Sequence, residues 1–120
     1  MTYLFVYGTL RRGERADVTG KCDVTYVGVA RARGKMFRVE DHPGMVASDD
    51  ASDQVVGEVY RLENAPRAWP VLDEYEGDEF ERTITSVRMD DGQVLQAWAY
   101  FYHGDTSQKD RILSGDYPRQ

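Results

Sequence analysis

Two stretches of this 120-residue chain hold residue types able to do chemistry. The first is Asp73-Glu74-Tyr75-Glu76-Gly77-Asp78-Glu79-Phe80-Glu81, in which six of nine residues are acidic. A carboxyl group among other carboxylates has its pKa raised, more so when partly buried. A raised pKa suits a group that must both take and give a proton near neutrality. The run also falls where a helix is expected to end, and there the macrodipole disfavours negative charge. A sequence that breaks a local rule often does so at a functional site. The same run also reads as a solvated acidic surface. Its spacing lacks the alternating acids, central Gly and terminal Glu of a calcium loop. The second stretch is Tyr7-Gly8-Thr9-Leu10, where an apolar strand runs into a glycine. Successive N–H groups in such a turn can form an anion-binding concavity. It reads equally as a plain strand exit with a capping Thr.

The elements that must position these residues follow from the hydrophobic pattern. Leu4-Phe5-Val6 predicts a short strand buried on both faces. The segment from Thr9 to Gly20 is polar and Gly-punctuated, and reads as a loop. Val24 to Val39 predicts two strands, broken at Gly28 and Gly34. Asp41-His42-Pro43-Gly44 is a turn signal, and Ser48 to Asp53 a polar loop. Gln54 to Leu62 alternates as a strand does. A helix is predicted between Asn64 and Glu76, with Asn64 as N-cap, Pro66 in the first turn and Gly77 as the stop. Pro70 leaves open a later start at Pro70 itself. Trp69, Leu72 and Tyr75 mark its apolar face. Glu76 shares that face and is expected to point to the core or a cavity, with Glu74 exposed. Glu79 and Glu81 lie beyond Gly77 and escape this periodicity. Thr83 to Met89 and Val94 to Tyr102 predict a hairpin around Asp91-Gly92. In the tail, Ile112 and Leu113 are the expected anchors. About six strands and one main helix imply a small barrel or strongly curled sheet, filled by its own side chains, with any ligand site at a mouth.

Composition excludes several classes. Fifteen Lys and Arg against 21 Asp and Glu give a net charge of −6. That balance argues against a nucleic-acid partner, which needs a basic face. Arg31, Arg33 and Lys35, on alternating strand positions, read as a solvated face. Cys22 is the only cysteine and His42 and His103 the only histidines, so no metal site is expected. No Ser–His–Asp or Cys–His arrangement is supported. The opening Met1 to Gly8 lacks the pattern of a signal peptide, and no apolar run approaches the ~20 residues of a membrane helix. The expectation is a single domain over residues 1–120, cytoplasmic, away from the membrane and monomeric.

Taken in order, the motifs resemble the gamma-glutamylcyclotransferase-like family, of the gamma-glutamylamine cyclotransferase type. Val6-Tyr7-Gly8-Thr9-Leu10-Arg11-Arg12-Gly13 resembles its opening strand and Tyr-Gly-Ser/Thr-Leu turn. Gly57-Glu58-Val59-Tyr60 looks like its central strand, and Leu72-Asp73-Glu74-Tyr75-Glu76-Gly77 its Leu-Asp-x-x-Glu-Gly helix end. Phe80-Glu81-Arg82 is similar to its aromatic-x-Arg strand start, with Phe80 where the family often has Tyr. Ala97 to Tyr102 and Ser114-Gly115-Asp116-Tyr117 resemble the last strand and tail. The resemblance implies an α+β fold: a small mixed, mainly antiparallel barrel with short helices and a ligand cavity at one end. It implies a small γ-glutamyl amine or peptide as substrate, cyclised to 5-oxoproline with release of the amine or amino acid, without metal or cofactor. In this reading Glu76 is the general acid/base, with Glu79 the alternative. Tyr7, Gly8, Thr9 and Leu10 bind substrate, their N–H groups serving the oxyanion or the α-carboxylate. The five other acids of the run would raise the pKa of Glu76. The segment from Asp41 to Val46 would border the leaving group. A non-catalytic binding module or a structural domain of the same fold is the alternative.

Overall fold

The computed structural model describes residues 1–117. Seven strands form one sheet: β1 (Thr2–Val6), β2 (Val24–Arg33), β3 (Lys35–Val39), β4 (His42–Val46), β5 (Gln54–Leu62), β6 (Phe80–Met89) and β7 (Val94–Tyr102). Their order is β1-β5-β2-β6-β7-β4-β3, and a further pairing of β1 with β7 closes the first five into a barrel. Most pairings are antiparallel, while β7 runs parallel to both β1 and β4. This is the expected small mixed barrel. Among the described residues no helix is long and apolar enough to cross a membrane.

Alternation along the strands produces two packed layers. Phe5 and Tyr7 of the β1 segment, Val55 and Val59 of β5, Val87 of β6, and Ala97 and Ala99 of β7 fill the barrel interior. The opposite faces carry Leu4, Val6, Tyr60, Leu62 and Tyr100, which pack against α1 (Ala65–Glu76) and against Leu10 and Val18 of the long loop. The helix buries Ala68 and Leu72 there. Asn64 caps it by accepting the Arg67 N–H, and Gly77, at φ 83°, ends it. Pro70 sits inside the helix. It costs one backbone hydrogen bond, yet the cap and the buried Ala68 hold the first turn, so the helix starts at Ala65 rather than Pro70.

Four expectations are corrected. Residues 42–46 form a seventh strand, so Asp41-His42-Pro43-Gly44 is not a turn; the turn is Glu40-Asp41, with Glu40 at φ 56°. Pro43 is tolerated because β4 touches its second neighbour, β7, only at Met45. Strand β6 begins at Phe80 rather than Thr83, because its first residues pair with the end of β7, Phe80 opposite Tyr102. Three residues, Asp90 to Gly92, instead of two lie inside the hydrogen bond that closes the β6–β7 turn, which Met89 donates from its N–H to the Gln93 carbonyl. Leu113 is exposed, and the tail is anchored in the core by Ile112, with the part-buried Tyr117 packed against the same cluster. The β2 break at Gly28 is a register shift between Tyr26 and Gly28 against β5.

Gly57 on β5 shows how tightly β1 and β5 meet. A Cβ there would stand 2.7 Å from the Phe5 ring and closer still to the Val6 carbonyl oxygen. Gly57→Ala is therefore expected to lower the unfolding free energy by about 1–3 kcal/mol. Urea denaturation checks this as a lower midpoint at unchanged slope.

Candidate active site

The site begins where β1 leaves the sheet. One edge of β7 is shared by two parallel neighbours, β1 at Leu4↔Trp98 and β4 at Met45↔Phe101. Between these points β1 and β4 part, which leaves backbone groups to be satisfied. The Tyr7 hydroxyl does this. It donates to the Tyr100 carbonyl at 2.7 Å and accepts the Met45 N–H at 3.0 Å. Burial, reinforced by the nearby Glu76 charge, pushes its pKa far up, so the phenol stays protonated and remains a donor.

The next residue must be small. A Cβ on Gly8 would stand 2.7 Å from Cγ of Pro43 on β4. From here the loop is held by its carbonyls: those of Gly8, Thr9 and Leu10 accept the N–H groups of Arg11, Ala16 and Val18. The N–H groups of Gly8, Thr9 and Leu10 make none of the turn, loop or cap hydrogen bonds among the described residues. Glu58, 6 % exposed, fixes the far end. Its carboxylate accepts from the Arg12 N–H at 2.8 Å and from the Tyr60 hydroxyl at 3.2 Å, with Arg11 Nε at 3.6 Å. Arg11 in turn reaches Asp116 at 2.7 Å and the Tyr117 carbonyl, tying the tail to the loop.

The helix end meets this loop through Thr9 and Tyr75, whose hydroxyl oxygens lie 2.6 Å apart. That contact sets the next residue, Glu76, against the loop. Glu76, Tyr7, Gly8, Thr9 and Leu10 together line one cavity, with His42, Pro43 and Tyr100. The structure thus brings together the residues singled out in the sequence. The cavity measures about 20 Å³, room for one water.

The Glu76 carboxyl makes no hydrogen bond or ion pair among the described residues. Burial away from water pushes its pKa from 4.5 up to about 7. Of the two causes expected, partial burial and acidic neighbours, burial is the one that acts. The neighbours' charges are directed elsewhere. Asp73 accepts from the Tyr100 hydroxyl at 2.6 Å and lies 3.7 Å from Arg82. Glu81 accepts from Thr83, and Glu74 is exposed. Glu79 is exposed too; its carboxylate meets the Tyr102 hydroxyl at 3.5 Å and does not line the cavity. A carboxyl whose pKa burial raises to about 7 therefore lines the same cavity as the turn from Gly8 to Leu10.

A family model described as gamma-glutamyl cyclotransferase, AIG2-like, matches residues 4–119. The chain belongs to the AIG2-like gamma-glutamyl cyclotransferase family. It is 29% identical over 119 residues to "Putative gamma-glutamylcyclotransferase MJ1514" of Methanocaldococcus jannaschii, covering 98% of this chain and 96% of that one. Its structure is similar to that of YkqA from Bacillus subtilis, with a TM-score of 0.77 at 27% identity, covering 97% of this chain. The chain spans only 39% of YkqA. An AIG2-like protein from Mus musculus shares the fold at a TM-score of 0.76 and 20% identity, over 90% of this chain and 81% of that one.

Within this family fold, two roles were hidden from the sequence. Tyr7 lines the cavity, but its hydroxyl is committed to backbone. Glu58 was seen only as part of a strand motif. Its signal lay in the alternation of β5: Tyr60 and Leu62 share its face, so that face is covered and Glu58 is a buried acid. Tyr7→Phe leaves two buried backbone groups without their partner, and is expected to cost about 2–4 kcal/mol. Thermal or denaturant unfolding checks it; a loss below about 0.5 kcal/mol would show that the hydroxyl does not bridge β4 and β7.

Proposed function

We propose that this protein is a cofactor-independent γ-glutamyl cyclotransferase acting on a small γ-glutamyl amine or peptide. The observation that carries the reading is Glu76: a half-buried carboxyl, unpaired among the described residues, with its pKa pushed up to about 7, in the same cavity as the turn from Gly8 to Leu10. Family membership supports it.

In this reaction the substrate supplies its own nucleophile. The γ-glutamyl chain is held folded so that its α-amine meets the γ-carbonyl carbon, an orientation effect worth several kcal/mol. Ionised Glu76 takes a proton from the α-ammonium. The freed amine forms the new C–N bond, and the carbonyl becomes a tetrahedral oxyanion. N–H groups of Gly8, Thr9 and Leu10 stabilise that oxyanion or hold the α-carboxylate. Protonated Glu76 then gives its proton to the leaving nitrogen as the old C–N bond breaks, and the carboxylate takes the second, surplus proton from the new ring nitrogen and passes it to the departing amine, which leaves as the ammonium. 5-Oxoproline and the free amine or amino acid depart, and Glu76 is ionised again.

A γ-glutamyl group exceeds the space for one water, so substrate entry needs the walls to part. The His42–Pro43 side adjoins a surface ion pair. There the Arg15–Asp41 ion pair, 2.8 Å long and exposed, clips the long loop to the β3–β4 turn. An exposed pair contributes little stability, so opening there costs little. The same side borders the leaving group.

Incubation with a panel of γ-glutamyl amines and dipeptides is expected to release 5-oxoproline. Glu76→Gln is expected to lower kcat/KM by about 10²–10⁴-fold. The base form is needed to start the reaction, so kcat/KM of the wild type is expected to rise with pH through an ionisation near 7. That limb is absent in any residual activity of Glu76→Gln. Saturable binding across the panel without turnover would make the protein a binding module instead, and full activity in Glu76→Gln would remove Glu76 from the mechanism.

A further inference from the structure

A second cavity shares no lining residue with that of Glu76. Strands β2 and β6 close the barrel through Ala30 to Ala32 opposite Val87 to Met89 only. Along this short seam a cleft of about 830 Å³ opens, bounded by the segment from Ala47 to Ala51 and by the β6–β7 loop. This volume lies in the range of about 300–1,000 Å³ typical of small-molecule sites. Arg31, Arg33 and Arg88 line it, with the exposed Val94 and the part-buried Phe101 as its accessible apolar surface and the buried Val87 and Met89 at its floor.

The charge arrangement is locally unfavourable. Arg31 and Arg88 are direct cross-strand partners, and like charges in that relation destabilise a sheet. Asp90 neutralises Arg31 at 3.1 Å. The guanidinium groups of Arg33 and Arg88 make no hydrogen bond or ion pair among the described residues. Two exposed positive charges without a protein partner among the described residues thus flank a cleft in a chain whose net charge is −6. An arrangement that breaks a local rule without internal compensation points outward, to a ligand.

We propose that this cleft binds a phosphate monoester carrying an apolar or aromatic body. The charge match selects the head group. A phosphate monoester carries about −1.5 to −2 near neutrality, matching the two free guanidiniums, whereas a carboxylate carries one charge. Guanidinium forks bind phosphate oxygens in bidentate fashion. The apolar surface takes the organic body, which inorganic phosphate lacks. Arg31 and Arg33 are exposed, as the sequence reading of a solvated face expects, and the proposal gives that face a ligand; Lys35 stands apart, 3.9 Å from Asp53.

The test is a titration of the full chain with phenyl phosphate, followed by amide shifts in nitrogen-15 NMR. Benzoate and inorganic phosphate serve as single-charge and body-free probes. Saturable shifts are expected at Ala32, Arg33, Val87 and Arg88, with phenyl phosphate bound at least about tenfold tighter than either other probe. The double variant Arg33→Gln/Arg88→Gln is expected to lose at least about tenfold in that affinity, with a native spectrum and unchanged 5-oxoproline formation. If the double variant does not fold, Arg33→Gln alone carries the same comparison. Shifts confined to Gly8–Leu10, no saturation, benzoate bound as tightly, or variant binding equal to wild type would each overturn the proposal.

Discussion

The edge of β7 is offered to two strands at once, and the rest of the site depends on how that conflict is resolved. Both β1 and β4 run parallel to β7, one touching it at Trp98 and the other at Phe101. They cannot both continue along it. Strand β1 turns away at Gly8, and the Tyr7 hydroxyl takes over the hydrogen bonds that a continued strand would have made. Buried backbone groups left open cost about as much as a lost hydrogen bond each, so this replacement is compulsory. The turn it creates faces the end of α1, and the Thr9–Tyr75 contact locks the two together.

The chemistry then comes from where water is absent, not from where charge is dense. Six acids crowd residues 73 to 81, and five of them are satisfied by hydroxyls, Arg82 or solvent. Glu76 alone is half-buried without a partner among the described residues, and desolvation raises it. The distinction matters for variants. Neutralising Glu79 or Glu81 leaves the enclosure of Glu76 intact, whereas any change that widens the cavity to bulk water lets its carboxyl return toward an ordinary pKa.

The fold was largely legible in the sequence where apolar and polar residues alternate or recur at helical spacing. Strands β5 and β7 and helix α1 end where their patterns end, and the inward placement of Glu76 follows from its spacing to Leu72. What misled was local turn chemistry. His42-Pro43-Gly44 carries every mark of a turn, yet Gly44 packs against the side chains of Val39 and Tyr102 within β4. Tertiary contacts of this kind leave no local trace. The roles of Tyr7 and Glu58 were hidden for the same reason, since both depend on partners tens of residues away. The family resemblance reached the site residues; it did not reach the arginine-lined seam between β2 and β6, where the informative fact is the register of Arg31 with Arg88.

Glu76 as an isolated, desolvated acid is the centre of this account, and its own titration is the direct measurement. The side-chain carboxyl carbon of Glu76 can be followed by carbon-13 NMR from pH 4 to 9, with the signal assigned by its loss in Glu76→Gln. The account predicts a midpoint near 7, well apart from the other carboxyls. A midpoint in the ordinary glutamate range, about 4.3, would contradict it.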